Sequence, residues 1–144
     1  MTISAIAAVL GGDTVLRRRV GTARELVELT REGIPTRALE QLAEQMNLSR
    51  VVIAKALGMS ERTLSRRVGA KSRMTAGESD RVVRMARLVA QAGETLGGAA
   101  NASKWLQTPN RAMGGERPFD CLDTDAGVQT VETVLGRIAY GLFS

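Results

Sequence analysis

The chain has no histidine, one cysteine, three prolines, and only one Trp, one Tyr and two Phe among its 144 residues. Each scarcity removes a class of chemistry. The lone Cys121 cannot close an internal disulfide. Without histidine, no plausible zinc site and no Ser–His or Cys–His nucleophile pair can be assembled. No phosphate-cradling glycine motif is present; Gly11-Gly12 and Gly97-Gly98 are bare pairs that read as breaks. Asp120, Asp123 and Asp125 gather near Cys121, but capping of the last helix accounts for at least one of them. An enzyme is therefore not expected, nor a cofactor or a bound metal. No apolar run approaches the ~18–20 residues that a membrane-spanning helix needs. The first ten residues, MTISAIAAVL, lack a basic stretch and lead into Gly-Gly-Asp rather than a cleavage site. The expectation is a soluble cytoplasmic protein with no membrane partner.

What is present favours helices. Hydrophobic residues make up 44% and charged residues 24% of the chain, values of a globular protein with a sizeable core. The net charge of +5 is unevenly spread. Residues 1–100 hold 16 Lys/Arg against 10 Asp/Glu, whereas residues 101–144 hold 4 against 5. Within residues 50–73 seven basic groups face a single acid, Glu61. A basic excess this local is what a polyanion footprint looks like. The C-terminal third needs a different partner.

Punctuation divides the chain into helices. An apolar segment over about 3–10 stops at Gly11-Gly12, and Asp13 is placed to cap a second helix, DTVLRRRVG. Thr22-Ala-Arg-Glu25 and Thr75-Ala-Gly-Glu78 are capping boxes, in which the Thr hydroxyl and the Glu carboxylate each serve an orphan amide. The first box opens a helix with Leu26 and Leu29 inside, ending at Gly33. Pro35 suits the first turn of the next helix, whose apolar face is Leu39, Leu42, Ala43 and Met46. The second box opens the longest helix, with Val82, Met85, Leu88 or Val89, and Leu96 inward. A short helix carries Trp105 and Leu106 up to a Thr-Pro-Asn corner. The last helix runs from about 124 to 141. No strand pattern appears, so the fold class is all-α. We divide it into a helical region over 1–74 and a smaller helical domain over 75–144.

Within the first region, RVVIAKALGMSERTLSRRV reads as two short helices, about 49–57 and 60–68. Ile53, Ala54 and Leu57 share one face of the first; Leu64 and Val68 share one face of the second. Gly58 suits a left-handed turn, Met59 plugs the corner, and Ser60 caps the second helix. These are the mechanical needs of a helix-turn-helix, whose second helix enters the major groove. The candidate DNA contacts are Ser60, Glu61, Arg62, Ser65, Arg66, Arg67 and Lys71, since Arg reaches guanine edges and Ser or Arg binds phosphate. The stretch A-x-x-L-G-M-S-x-x-T-L-S-R resembles the helix-turn-helix of the Xre and Cro repressor type. It departs at Arg50, where those proteins often carry Gln, and at Arg67, where they often carry an aromatic. Arg17-Arg18-Arg19 forms a second basic cluster, read as a solvated helix face with a phosphate contact as the weaker alternative.

The C-terminal segment ends apolar: Val128, Val131, Leu135, Ile138 and Leu142 recur at helical spacing, and the chain closes Tyr-Gly-Leu-Phe-Ser. Gly127 and Gly136 inside the helix imply close packing against each, because mid-helix glycine costs about 1 kcal/mol relative to alanine. Trp105, Leu106, Pro109, Asn110, Gly114, Gly115, Pro118, Leu122, Thr124, Gly127, Val131, Leu135, Arg137, Ile138 and Gly141 follow the spacing of a known domain. By these residues the segment resembles the C-terminal domain of Xre–ParS-type antitoxins of type II toxin–antitoxin systems. The departure is Met113, where Leu is more usual.

That resemblance implies a homodimer that represses its own operon by binding operator DNA. It also implies neutralisation of a cognate toxin, an NAD-consuming enzyme of the RES-domain class, by covering its active-site entrance. On that analogy Arg137, Tyr140, Leu142, Phe143 and Ser144 contact the toxin. Trp105, Pro109 and Asn110 then brace the loop that positions the last helix. The other readings are a plain dimeric repressor, whose C-terminal domain only dimerises or senses a ligand, and an enzyme. The apolar terminus favours the antitoxin over the plain repressor.

Overall fold

The structure, a computed structural model, describes residues 2–69 and 72–141, without the side chain of Val68. It is all-α. In chain order the helices are α1 (Ile3–Val9), α2 (Gly12–Leu16), α3 (Ala23–Glu32), α4 (Arg37–Met46), α5 (Arg50–Ala56) and α6 (Glu61–Gly69). They continue with α7 (Ala76–Leu96), α8 (Ala99–Leu106) and α9 (Asp125–Ala139), and 3-10 turns fill Arg111–Met113 and Pro118–Cys121.

Helix α7 is the spine. Its 21 residues span about 30 Å at 1.5 Å per residue. Both expected capping boxes form, with Thr22 and Glu25 opening α3 and Thr75 and Glu78 opening α7. The spine packs against α1, α3 and α4 along one part and against α8 and α9 along another. Val82, Met85, Leu88 and Val89 are buried as the spacing predicts, and Leu96 is partly buried. A single core runs from Leu10 and Leu16 through Leu39, Leu42 and Leu88 to Leu106, Val131 and Leu135.

Buried polar groups join distant elements at defined points. Ser79 Oγ of α7 accepts the Ile34 amide at 2.8 Å. Ser103 Oγ of α8 donates to the Met46 carbonyl at the end of α4, 2.5 Å away, and Gln107 Nε2 donates to the same carbonyl at 3.1 Å. Arg84 pairs with Asp125 at 3.0 Å, and Arg87 Nε with Glu132 at 2.8 Å, tying α7 to α9 across the surface.

Three local expectations are corrected. Asp13 is not a cap: α2 starts after a left-handed Gly11 and ends at Leu16, and Arg17 takes a left-handed φ of 59° where a continuing helix was expected. The left-handed C-cap at Arg17, its amide donating to the Asp13 carbonyl at 2.8 Å, ends the helix there, and Val20 beyond it is again buried. Pro35 lies outside α4; it forms an isolated bridge with Arg73, and Thr36 is the N-cap. Gly136 is open: among the described residues nothing lies within 4 Å of the point a β-carbon would occupy, so none of them packs closely there.

Candidate functional site

Two surfaces carry the candidate residues. The first is the α5–α6 pair. Ser49 caps α5, its hydroxyl accepting the Val52 amide at 3.3 Å. The turn is a Schellman motif: the Met59 amide donates to the Ala54 carbonyl at 2.8 Å and the Gly58 amide to the Lys55 carbonyl at 3.0 Å. Gly58 sits at φ +76°, where a side chain is strained. Met59 is buried in the corner, as are Ile53, Ala54, Leu57 and Leu64. Ser60 Oγ accepts the Thr63 amide at 3.1 Å and caps α6. Sequence and geometry agree on a helix-turn-helix.

Glu61, Arg62, Ser65 and Arg66 are all exposed on α6, and no described residue pairs with Arg62 or Arg66. Their guanidinium groups are available to an anion. Arg67 differs. It turns inward to pair with Glu78, the acid of the α7 capping box, and its side chain is only 20% exposed. Glu78 also accepts the Thr75 amide at 2.9 Å. Arg67 therefore ties the end of α6 to the start of α7, and its guanidinium is already occupied. No local signal in the sequence gives this, because Glu78 lies eleven residues away in a different helix. Arg50 likewise pairs with Glu40 at 3.0 Å. Lys71 lies outside the described residues.

The second surface is built by α8, the loop after it, and α9. Trp105 is partly buried against the core, Pro109 is exposed, and Asn110 is half-buried. Asn110 organises the loop: Oδ1 accepts the Ala112 amide at 2.9 Å, and its backbone carbonyl accepts the Gly115 amide at 3.0 Å. Its own amide donates to the Glu116 carbonyl at 3.0 Å, closing the turn. Beyond it Arg117 grips Asp120 with two bonds of 2.7 Å and lies 5.7 Å from the centre of the Phe119 ring. The Arg117 pairing holds the Asp120 carboxyl below the usual carboxylate range.

Thr124 caps α9, accepting the Gly127 amide at 3.0 Å. At Gly127 the backbone comes close to the preceding turn: a β-carbon there would lie 1.7 Å from the Cys121 carbonyl oxygen. Val128, Val131 and Leu135 face the core. The opposite face runs Ala126, Gln129, Thr130, Thr133 and Arg137, all exposed, and borders a shallow groove beside Ala112. Tyr140 follows at the C-cap, 85% exposed. Of this outward stripe the sequence motifs single out only Arg137, although the whole stripe is the complement of the inward Val128, Val131 and Leu135. Leu142, Phe143 and Ser144 lie outside the described residues.

Cys121 is half-buried, and burial, then its hydrogen bond to Glu116, pushes the thiol above its ordinary range. A thiol held protonated is a poor nucleophile. Among the described residues no group of His, Cys, Asp and Glu is arranged to hold a metal ion, and no helix is long and apolar enough to cross a membrane.

A helix-turn-helix followed by a small helical domain, both joined to one long helix, defines the class of this protein. Comparison with known proteins resolves it further. Residues 25–87 match the antitoxin Xre-like helix-turn-helix domain, and residues 91–141 match the antitoxin Xre/MbcA/ParS C-terminal toxin-binding domain. The two spans meet within α7. The chain is 31% identical to "Antitoxin Xre" of Photorhabdus laumondii, covering 78% of this chain and 77% of that protein. It is 28% identical to the "Prs ADP-ribosylating antitoxin" of a Sphingobium species, covering 82% and 80%. Its fold is similar to a chain in the crystal structure of the M. tuberculosis MbcT–MbcA toxin–antitoxin complex, with a TM-score of 0.56 and 22% identity, covering 74% of this chain and 94% of that one. The chain belongs to the Xre/MbcA/ParS antitoxins and is an antitoxin of a toxin–antitoxin system.

Proposed function

We propose that this antitoxin neutralises an NAD-consuming toxin of the RES-domain class by covering its active-site entrance with α9 and the residues after it. In this reading it also represses its own operon as a homodimer bound to operator DNA. The observation that carries the first part is Tyr140, a rigid aromatic side chain 85% exposed at the end of α9. Large exposed aromatics of this kind anchor protein interfaces. In the α9 stripe that precedes it Ala126, Thr130 and Thr133 carry small side chains, so a partner can approach the helix closely there. A standard interface buries ~1,600 Å² in total, and α9 with its bracing loop is of a size to supply one side. The toxin contacts are assigned to Arg137, Tyr140, Leu142, Phe143 and Ser144, and the bracing role to Trp105, Pro109 and Asn110. The relative found in the MbcT–MbcA structure comes from a toxin–antitoxin complex, which supports a protein toxin as the partner.

The second part rests on α6. Arg62 and Arg66 are exposed and unpaired among the described residues, on the helix that a helix-turn-helix inserts into the major groove. Palindromic operators match two-fold proteins, hence the homodimer. With ~6 phosphate contacts, affinity is expected to fall by ~10³ between 50 and 200 mM salt.

The test is co-expression of the tagged chain with the product of the adjacent gene. Co-elution of the two, together with growth arrest when the neighbour is expressed alone, supports the reading. Removal of residues 140–144 is then expected to abolish co-elution while leaving the helical circular dichroism and DNA binding intact. A truncated chain that still holds the toxin tightly rejects the tail assignment. A harmless neighbour that forms no complex leaves the plain dimeric repressor.

A further inference from the structure

One basic feature lies outside the α5–α6 pair. Arg17, Arg37 and Arg73 line a single small recess together with Thr36 and Ser72, and among the described residues no carboxylate lines it. An anion seated there meets positive charge from each of the three side chains. Arg73 is anchored, its Nη1 donating to the Gly33 carbonyl at 2.7 Å. Arg17 and Arg37 are exposed, and neither is hydrogen-bonded or ion-paired to a described residue. By contrast Arg18, next to Arg17, is bound to Glu32. The recess thus keeps two guanidinium groups uncommitted beside one that is fixed.

Its position specifies the anion. The Thr36 amide and hydroxyl both donate to the Ser72 carbonyl, at 3.0 and 2.8 Å. Pro35 bridges Arg73, so the recess is held directly after the C-terminal end of α6. A helix lying in the major groove, which is ~12 Å wide, has a phosphate wall at either side. Groups at the end of such a helix meet that wall, and the planar guanidinium fork matches phosphate oxygens. Arg17 also holds its left-handed φ of 59°, a conformation that glycine adopts more readily, so the turn itself does not call for an arginine.

We propose that this recess seats one backbone phosphate of the duplex whose major groove α6 enters, with Arg17 and Arg37 as its mobile ligands and Arg73 as its fixed wall. The inference rests on the DNA-binding reading of α6 and extends it. Arg17 precedes the matched helix-turn-helix span of residues 25–87, so the contact brings the N-terminal helices onto the DNA.

The experiment uses the full chain, its R17G and R37A variants, and the double variant. Binding is measured from 50 to 200 mM salt on a 30-bp duplex from upstream of its own gene and on an unrelated duplex of equal length. Loss of one phosphate contact reduces the slope of log K against log salt by about one per bound protomer. The double variant is expected to show that reduction and to weaken by the same factor on both duplexes, because phosphate contacts carry no base information. R17G is expected to melt no lower than wild type, since glycine relieves the left-handed turn. A double variant that keeps the wild-type slope overturns the phosphate recess while leaving α6 as the DNA reader. A wild-type chain with no salt-dependent affinity for either duplex overturns the DNA-binding reading itself, and this inference with it.

Discussion

Gly127 and Gly136 look alike in the sequence, both lying within α9, yet they meet opposite surroundings. A β-carbon at Gly127 would overlap the Cys121 carbonyl, whereas at Gly136 it would touch no described residue within 4 Å. Gly127→Ala is expected to destabilise the protein by about 3 kcal/mol. Gly136→Ala is expected to stabilise it by up to about 1 kcal/mol, through the better helix propensity of alanine. Urea denaturation of the two variants measures both, and a matching sign would contradict the close approach. Glu25 offers a pH test at the same scale. Hydrogen bonds from the Gly21 amide and Thr22 lower its pKa below the ordinary glutamate value. A depressed folded pKa contributes stability above the unfolded value, and this is lost as pH falls through the folded one. The Gly21 and Thr22 amide resonances are expected to titrate together below the usual glutamate range, with the start of α3 fraying as they do.

Helix ends in this protein are set by local chemistry, but what each helix presents is set by its neighbours. Ser49, Ser60, Thr75 and Thr124 each cap the helix that follows. On α6, however, the basic residues divide between two tasks. Arg66 is exposed, while Arg67 is committed to Glu78. Arg67→Ala leaves a largely buried carboxylate without its partner and is expected to cost about 1–3 kcal/mol. Arg66→Ala is expected to leave the melting temperature within about 2 °C, because surface substitutions are usually within ±0.5 kcal/mol, and to weaken DNA binding. Thermal melts alongside binding isotherms separate the two. Equal melting temperatures for R66A and R67A would remove the structural role of Arg67.

At the scale of the whole molecule, α7 joins both functional halves into one core. It touches α1, α3 and α4 as well as α8 and α9, and Leu88 is fully buried near the middle of its length. The two halves are therefore expected to unfold together. Circular dichroism reports all helices, whereas fluorescence of Trp105 reports the C-terminal half alone. Coincident transitions by the two probes are expected, and Leu88→Ala should shift both by the same ~2–5 kcal/mol. Separate transitions would show that α7 does not couple the halves.

The sequence by itself determined the helical class, both capping boxes, the turn at Gly58 and the outward basic face of α6. Those features depend on neighbours within about four residues, where spacing and cap chemistry are decisive. Its multi-residue C-terminal pattern also carried the family. Only the tertiary structure decided the rest. Arg67 meets Glu78, Ser103 meets the Met46 carbonyl, and Pro35 meets Arg73 across chain separations that no periodicity encodes. The three arginines of the recess come from the end of α2, the first turn of α4 and the segment after α6, so their convergence is invisible until those elements pack. Gly127 and Gly136 make the same point most simply: one residue type on one helix is forced at the first site by a crossing backbone and left free at the second by open space.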